Sequence, residues 1–571
     1  MLRRRSGVAR ALFVLAAAIG ASTLPVPAAA ATGPAADHPV AAAAPPFTAG
    51  GSEQDRGSGI RSRPGTVTVT DPTDGPVAID TTLYLPRRTP APAVLLSHGF
   101  GSSKDALDGQ AMRLARAGLV VLTWSAPGFG RSGGSISLMS LDHEIPDARQ
   151  LIDHLAAQPE VTLDSPGDPR VGVAGGSYGG AASLLVAGTD RRVDAVAAAI
   201  TWNDLAESLF PDQTVAATGG SPAPPVTAAA AGTGPLKRGW ASTLFASGLG
   251  PRSPAGASPG AAASPASGSG TAGSVQAACG RFRIEYCLAY AGAVSTGRLP
   301  VQLRALLARS SPATVLSAVR APVLLVQGQQ DTLFGLDQAE ANARGLVAAG
   351  VPVTVRWYAG GHDAGSAGQA GIERSTTDFL VDHLATARPT AAAPSSSSPR
   401  GPSASPSAPA STAGRPGFSY DLTGLTDPTT GDTPTRTVVT DGYPATGVDA
   451  TRRLALGGGA QQVVRPPGGQ PAALTALTGL GVAAAAVAGG STPAPGGTDG
   501  GTGGAGGAAS RAAGTALLGA AAAEPPGQTA VFPTQPLAAA LTVTGQARVR
   551  LSVTAAGVLA DPGCEIGRAH V

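Results

Sequence analysis

The sequence predicts an α/β domain: a mostly parallel sheet with helices on both faces, interrupted by a helical insertion and followed by a β-rich segment. Three observations predict it. From residue 94 onward, short apolar strand-like runs alternate with helical runs. That rhythm breaks at 201, holds only helical patches to about 318, and then resumes. Beyond a Pro/Ser/Ala-rich stretch at 389–416, the pattern changes to short strand-like runs with many turns.

Taken in order, residues 1–30 read as a secretory signal. Arg3, Arg4, Arg5 and Arg10 precede an apolar run at 11–24, and Ala28-Ala29-Ala30 offers a small-residue cleavage site. The run is short for a membrane span, so the chain is expected to be secreted, with no stable membrane insertion. Residues 31–63 are Pro/Ala/Gly-rich and are expected to be disordered. The folded domain is placed at 64–388. Two alternating runs, 66–70 and 77–85, flank a Pro/Asp/Gly turn and predict a hairpin. A strand at 94–96, helix 105–117, strand 119–123, helix 145–157 and strand 170–174 follow, then a strand at 193–200. The insertion at about 201–318 reads as a cap, with helices at 206–210 and 299–308 and a low-complexity tract at 219–273 that is expected to be a mobile loop. The sheet resumes with strand 323–326, helix 336–349, strand 353–358 and helix 372–387.

After the linker at 389–416, residues 417–563 predict a β-rich domain. Val549, Leu551 and Val553 alternate with Arg548, Arg550 and Ser552 in its clearest strand. Residues 564–571 break the composition of what precedes them. Glu565-Ile566-Gly567-Arg568-Ala569-His570-Val571 reads as the translation of a sequencing-adapter oligonucleotide, so the β-rich domain is expected to be incomplete.

The gross numbers bound the function. The 571 residues suffice for two or three domains, and the formal net charge of +3 gives no reason to expect a nucleic-acid partner. Cys279 and Cys287 are close in sequence, and an exported chain favours a disulfide between them over two buried thiols. No His or acidic cluster accompanies them, so no metal is expected, and no organic cofactor is implied.

The chemistry centres on Gly175-Gly176-Ser177-Tyr178-Gly179, set between an apolar strand and an Ala/Leu-rich helical run. A sharp strand-to-helix turn lifts a serine hydroxyl above the sheet, and glycines on either side avoid Cβ clashes. Of two other GxSxG pentapeptides, the one around Ser132 follows a strand but opens no apolar helix and the one around Ser258 lies in a Pro/Ser/Ala/Gly tract, which leaves Ser177, with strand before and helix after, as the candidate nucleophile. A serine needs a base. His362, in Gly360-Gly361-His362-Asp363 after the last strand of the domain, is the candidate. Asp331, in the turn leaving strand 323–326, is the candidate carboxylate to orient it. Asp337 is the runner-up, and Asp363 adjoins the histidine too closely to orient its ring. The oxyanion needs backbone donors, expected from Tyr178 and from Phe100 in His98-Gly99-Phe100-Gly101, a loop that His98 is expected to hold. The glycine-rich 128–134 loop reads as a structural turn.

These motifs occur in the order Ser, Asp, His. With Gly128-Phe129-Gly130-Arg131-Ser132-Gly133-Gly134 and Gly328-Gln329-Gln330-Asp331-Thr332-Leu333-Phe334, they resemble an α/β-hydrolase of the Xaa-Pro dipeptidyl-peptidase and cocaine-esterase group, the S15 peptidase type. The resemblance implies an α/β-hydrolase fold with a helical cap and a C-terminal jelly-roll-like domain. It also implies a serine hydrolase acting on peptides or small esters. An aminopeptidase of this kind needs cap carboxylates for the substrate ammonium group, and Asp204, Glu207, Asp212 and Glu285 are candidates. The first loop departs from the group, whose members often supply a tyrosine hydroxyl there. The alternatives are a carboxylic ester hydrolase, an acyltransferase and a non-catalytic surface binder.

Overall fold

The computed structural model describes residues 59–211, 234, 236–249, 278–362, 369–385, 417–424, 435–440, 454–462, 530 and 532–535. The expected signal, the 389–416 linker and residues 564–571 lie outside these, as do Asp212, Asp363 and Ser258.

The sheet begins with the expected hairpin, β1 (Arg61–Asp71) and β2 (Gly75–Leu85), whose antiparallel register pairs Val67 with Ile79. Then come β3 (Ala93–Ser97), helix α1 (Asp108–Arg116), β4 (Val120–Trp124) and helix α2 (Glu144–Ala156). A small separate hairpin, β5 (Leu163–Ser165) with β6 (Asp168–Pro169), precedes β7 (Val171–Gly176), α3 (Tyr178–Thr189) and β8 (Val193–Ala199). The cap carries α4 (Leu205–Leu209), α5 (Arg238–Gly248), α6 (Ile284–Thr296) and α7 (Val301–Arg309). The domain resumes with β9 (Val323–Gly328), α8 (Leu336–Ala348), β10 (Val353–Tyr358) and α9 (Gln369–Ala385). Two further strands follow, β11 (Gly417–Thr423) and β12 (Thr435–Thr440).

The strand order is β1-β2-β4-β3-β7-β8-β9-β10-β11-β12, parallel from β4 to β11 and antiparallel at both ends. This is the large mixed sheet of an α/β-hydrolase. All five residues of β3 and of β4 are buried because helices cover both faces. The period of two assigns them to opposite cores. Leu95, Leu122 and Val173 face Leu151, Leu155 and Leu184 of α2 and α3, while Val94, Leu96 and Val121 face Leu114 of α1 and Leu380 and Leu384 of α9. On α2, Ile145, Ala148, Leu151, Ile152 and Leu155 fall on one stripe at helical spacing, which is why the helix forms and lies flat on the sheet.

Three expectations change. The tract 219–273 was expected to be a loop throughout, yet its residues 238–248 form α5. There Ala241, Phe245 and Gly248 at i, i+4 and i+7 are buried, and a local apolar face outweighs the low-complexity context. Helix α6 and the β5–β6 hairpin were not anticipated. The boundary drawn at 416 falls inside the sheet, because β11 pairs in parallel with β10, Val355 opposite Phe418. Phe418 is buried against Trp357, and Asp421 accepts from Arg356 at 2.6 Å and from the Ala359 N–H at 3.2 Å. Among the described residues of 417–563 these two strands extend the hydrolase sheet, and no jelly-roll sheet is present.

Cys279 and Cys287 form a disulfide. Among the described residues no helix is long and apolar enough to cross a membrane.

Helix α2 also buries Asp147, neither of whose carboxylate oxygens has a hydrogen-bond partner among the described residues. Burial, then the negative charges of Glu144, Asp71 and Asp74, opposed by Arg283, push its carboxyl up to about 8 from 3.8. A raised acid favours the folded state fully only below its unfolded value, so this support is lost as pH climbs from 3.8 toward about 8. Asp147→Asn is expected to raise the melting temperature, by an amount that grows with pH across that window, on the order of 1 kcal/mol per pH unit. Melting curves of both proteins at about pH 5 and about pH 8.5 check it, and an equal shift at the two would contradict it.

Candidate active site

β7 ends in the turn that carries Ser177, and α3 starts at the next residue. Ser177 sits at φ 55°, ψ −115°, a conformation that non-glycine residues rarely adopt. Its neighbours enforce it. The Ser177 N–H donates to Ala199 O at 2.8 Å, and Thr201 Oγ1 donates to Ser177 O at 2.9 Å. The flanking glycines are needed for close approach: a Cβ on Gly179 would lie 2.2 Å from Ser97 O, and one on Gly175 would lie 2.6 Å from Gly179 C.

His362 follows β10, and Asp331 lies in the turn after β9. His362 Nε2 lies 2.9 Å from Ser177 Oγ, and Nδ1 lies 2.5 Å from Asp331 Oδ2. The geometry demands the tautomer in which Nδ1–H donates to the carboxylate and Nε2 accepts the serine proton. Asp331 is 2 % exposed and fully engaged. Its Oδ1 accepts from the Leu333 and Phe334 N–H groups at 2.9 and 2.8 Å, and its Oδ2 accepts from Gln327 Nε2 at 3.1 Å. The two loops meet backbone to backbone, since a Cβ on Gly361 would lie 2.6 Å from Asp331 N. Gly361→Ala is therefore expected to drive the two loops apart and lower kcat by about 100-fold, the scale of a 1 Å misplacement. Steady-state kinetics check this, and a change under threefold (about 0.6 kcal/mol) would contradict it.

The expected oxyanion elements are adjacent. Tyr178 is the first residue of α3, where backbone N–H groups have no acceptor within the helix. The Gly99 site lies beside Ser177, a Cβ there being 4.0 Å from Ser177 Cβ. The rings of Phe100 and Tyr178 pack edge to face at 5.2 Å. His98 holds this loop: Nδ1–H donates to Gly99 O at 2.7 Å and Nε2 accepts the Ala126 N–H at 3.0 Å. Burial, against the Gly99 bond, lowers its pKa to about 4, so it is neutral in ordinary buffers.

Other candidates lie elsewhere. Asp337 is in α8 and accepts from Gln338 Nε2 at 3.0 Å. The Ser132 hydroxyl is buried in its turn, bonded to Ser125 O at 2.6 Å and to the Asp80 N–H at 2.9 Å. Asp204 caps α4 by accepting the Ala206 and Glu207 N–H groups, Glu207 is raised by burial beside Asp337, and Glu285 is exposed.

Two residues of the cap were not anticipated. Lys237 Nζ donates to Thr332 O and Leu333 O at 3.0 and 2.8 Å, and Trp240 Nε1 donates to Thr332 Oγ1 at 3.0 Å. The Trp240 ring stands 5.9 Å from the His362 ring and the Phe334 ring 5.1 Å from it, both edge to face. The signal was the Lys237-Arg238-Gly239-Trp240 island, charged and aromatic within a featureless tract.

Residues 74–350 match the family described as X-Pro dipeptidyl-peptidase, S15. This region of the chain is similar to the S15 family. The matched region contains Ser177 and Asp331, and His362 follows it by 12 residues, since 362 − 350 = 12. The protein is a serine hydrolase. Among solved structures, the fold is similar to 2,6-dihydroxy-pseudo-oxynicotine hydrolase (15% identity, 57% of this chain, 68% of that chain, TM-score 0.35). It is also similar to acetyl xylan esterase 1 of a Thermoanaerobacterium species (16%, 57%, 88%, 0.35). A third is dipeptidyl peptidase 4 of Porphyromonas gingivalis (17%, 56%, 35%, 0.35). No curated protein matches the sequence.

Proposed function

We propose that this protein is a secreted serine hydrolase that cleaves Xaa-Pro dipeptides from peptide N-termini through an acyl-enzyme. The observation that carries the mechanism is the continuous chain from Ser177 Oγ to His362 Nε2 and from His362 Nδ1 to Asp331 Oδ2, at 2.9 and 2.5 Å. Ser177 Oγ attacks the carbonyl carbon as His362 Nε2 takes its proton. The Tyr178 and Phe100 N–H groups receive the charge on the carbonyl oxygen. His362 then protonates the leaving amine, the C–N bond breaks, and water, deprotonated by His362, releases the acyl group and restores Ser177. Asp331 keeps the imidazole in the productive tautomer and stabilises it when charged. The S15 match supports a peptide substrate. The Arg-rich, apolar N-terminus and the Cys279–Cys287 disulfide support export.

A second reading, carboxylic ester hydrolysis, is favoured by a specific observation. The loop at 98–101 carries His-Gly-Phe-Gly rather than a tyrosine, and Asp204 already serves as a helix cap. Turnover of Xaa-Pro anilides against short acyl esters, each with a Ser177→Ala control, separates the two. The peptidase reading expects higher kcat/KM on the anilides, and turnover of the esters alone would overturn it.

A further inference from the structure

We infer that Glu144 is a positioning residue for the reaction, acting through the Tyr178 hydroxyl on the backbone that faces the developing oxyanion. The inference rests on Tyr178 N–H being an oxyanion donor, as proposed above.

Glu144 opens α2 and is fully buried. Its Oε1 accepts from the Ser137 N–H at 2.5 Å and from the Tyr178 hydroxyl at 3.3 Å, and its Oε2 accepts from the Ser140 N–H at 2.9 Å. The Tyr178 hydroxyl in turn accepts the Met139 N–H at 3.1 Å. Three backbone donors of one short loop thus converge on one carboxylate and one phenol. The loop is bent to do so: Leu138 and Met139 have φ of 60° and 58°, in the left-handed region. Non-glycine residues hold such angles only when the surroundings over-determine them. Here the surroundings are the bonds from the loop's N–H groups to the buried Glu144 carboxyl and the Tyr178 hydroxyl.

The loop is gripped from the cap as well. The Arg283 N–H donates to Ile136 O at 3.0 Å, its Nε donates to Ser137 Oγ at 2.9 Å, and its guanidinium pairs with Asp71 and Asp74.

Tyr178 is the residue after the nucleophile, so its ring and its backbone N–H share one Cα. The far end of the ring is fixed by Glu144 and Met139. Its faces and edges meet Phe100 at 5.2 Å and Phe129 at 5.7 Å. Phe100 is the other expected donor residue. One side chain therefore spans both donors, and Glu144 sets where that side chain ends. Stitching the loop alone needs only the Ser137 and Ser140 bonds. The bond to the Tyr178 phenol links the loop to the nucleophile turn.

The test uses the full chain and three variants: Tyr178→Phe, which removes only the hydroxyl, Glu144→Gln, which keeps the shape, and the two combined. Active sites are titrated with a fluorophosphonate so that kcat refers to folded enzyme. An alkyl boronic acid serves as the probe of transition-state binding. Each single change is expected to lower kcat by about 10-fold, part of the roughly 100- to 1000-fold that removing a donor costs. KM is expected to stay within about twofold, boronate affinity to fall in parallel with kcat, and the double variant to lose about as much as the worse single. Unchanged kcat per titrated site in Tyr178→Phe overturns the inference, as does an effect on KM alone or multiplicative losses. If Glu144→Gln does not fold, Tyr178→Phe decides by itself. Ser177→Ala separates the layers. Turnover that survives there removes the serine mechanism and this inference with it, whereas turnover lost there but kept in Tyr178→Phe removes this inference alone.

Discussion

Ser177→Ala is expected to lower turnover by about a million-fold, to the level that binding and the oxyanion donors alone sustain. The change removes one oxygen atom, whose recorded hydrogen bond is the 2.9 Å contact with His362 Nε2. The turn itself is held by backbone bonds from Ser177 N–H and to Ser177 O, which alanine keeps. The φ of 55° is as strained for serine as for alanine, so the variant inherits the strain and adds none of its own. The melting temperature should therefore stay within about 2 °C while kcat collapses, the signature of a residue that acts on the reaction and not on the fold. Measuring kcat and melting on the same preparation checks both halves. Substantial residual turnover, or a collapse in melting temperature of matching size, would contradict it.

Asp331→Asn is expected to lower kcat by about 10 000-fold. The reason lies in what else the carboxylate touches. The Leu333 and Phe334 N–H groups both point at Oδ1, so they demand an acceptor there. An asparagine must place its carbonyl oxygen toward them, which turns its amide NH2 toward His362 Nδ1. That forces the ring into the tautomer with the proton on Nε2, aimed at Ser177 Oγ, and the base can no longer accept. The same NH2 would face Gln327 Nε2, which now donates to Oδ2, so a donor meets a donor at a cost of about 1–3 kcal/mol. Activity and stability both fall, and kcat falls far more. Kinetics with a denaturation curve test it, and a kcat within tenfold (about 1.4 kcal/mol) of the parent would contradict the tautomer argument.

The sequence carried much of this site because its parts are local. The turn at Ser177 needs glycines at 175 and 179 for a steric reason that composition displays directly, and the strand before and helix after are short and strongly patterned. Asp331 and His362 were found because each follows an apolar strand immediately. What was missed depends on distant partners. The apolar face of helix α5 is narrow, Ala241, Phe245 and Gly248, and its burial comes from a distant partner, Phe245 stacking on Phe282 at 4.8 Å, 37 residues away in sequence by 282 − 245. The attachment of β11 to β10 crosses the Pro/Ser/Ala-rich stretch at 389–416, and strand pairing over such a distance leaves no periodicity to read. Glu144 looks in sequence like an ordinary acidic residue in a helix's first turn. Its burial follows from the fold of the 137–140 loop around it.

The measurement that bears most directly on the central claim is covalent labelling of the full chain by a fluorophosphonate, with the adduct mapped by peptide mass spectrometry. One adduct on Ser177 is predicted, absent from Ser177→Ala and formed far more slowly in His362→Ala. An adduct that persists at another serine when Ser177 is replaced would contradict a reaction centred on Ser177, His362 and Asp331 by placing it elsewhere, and no adduct at all would contradict it and leave a non-catalytic binding protein as the better description.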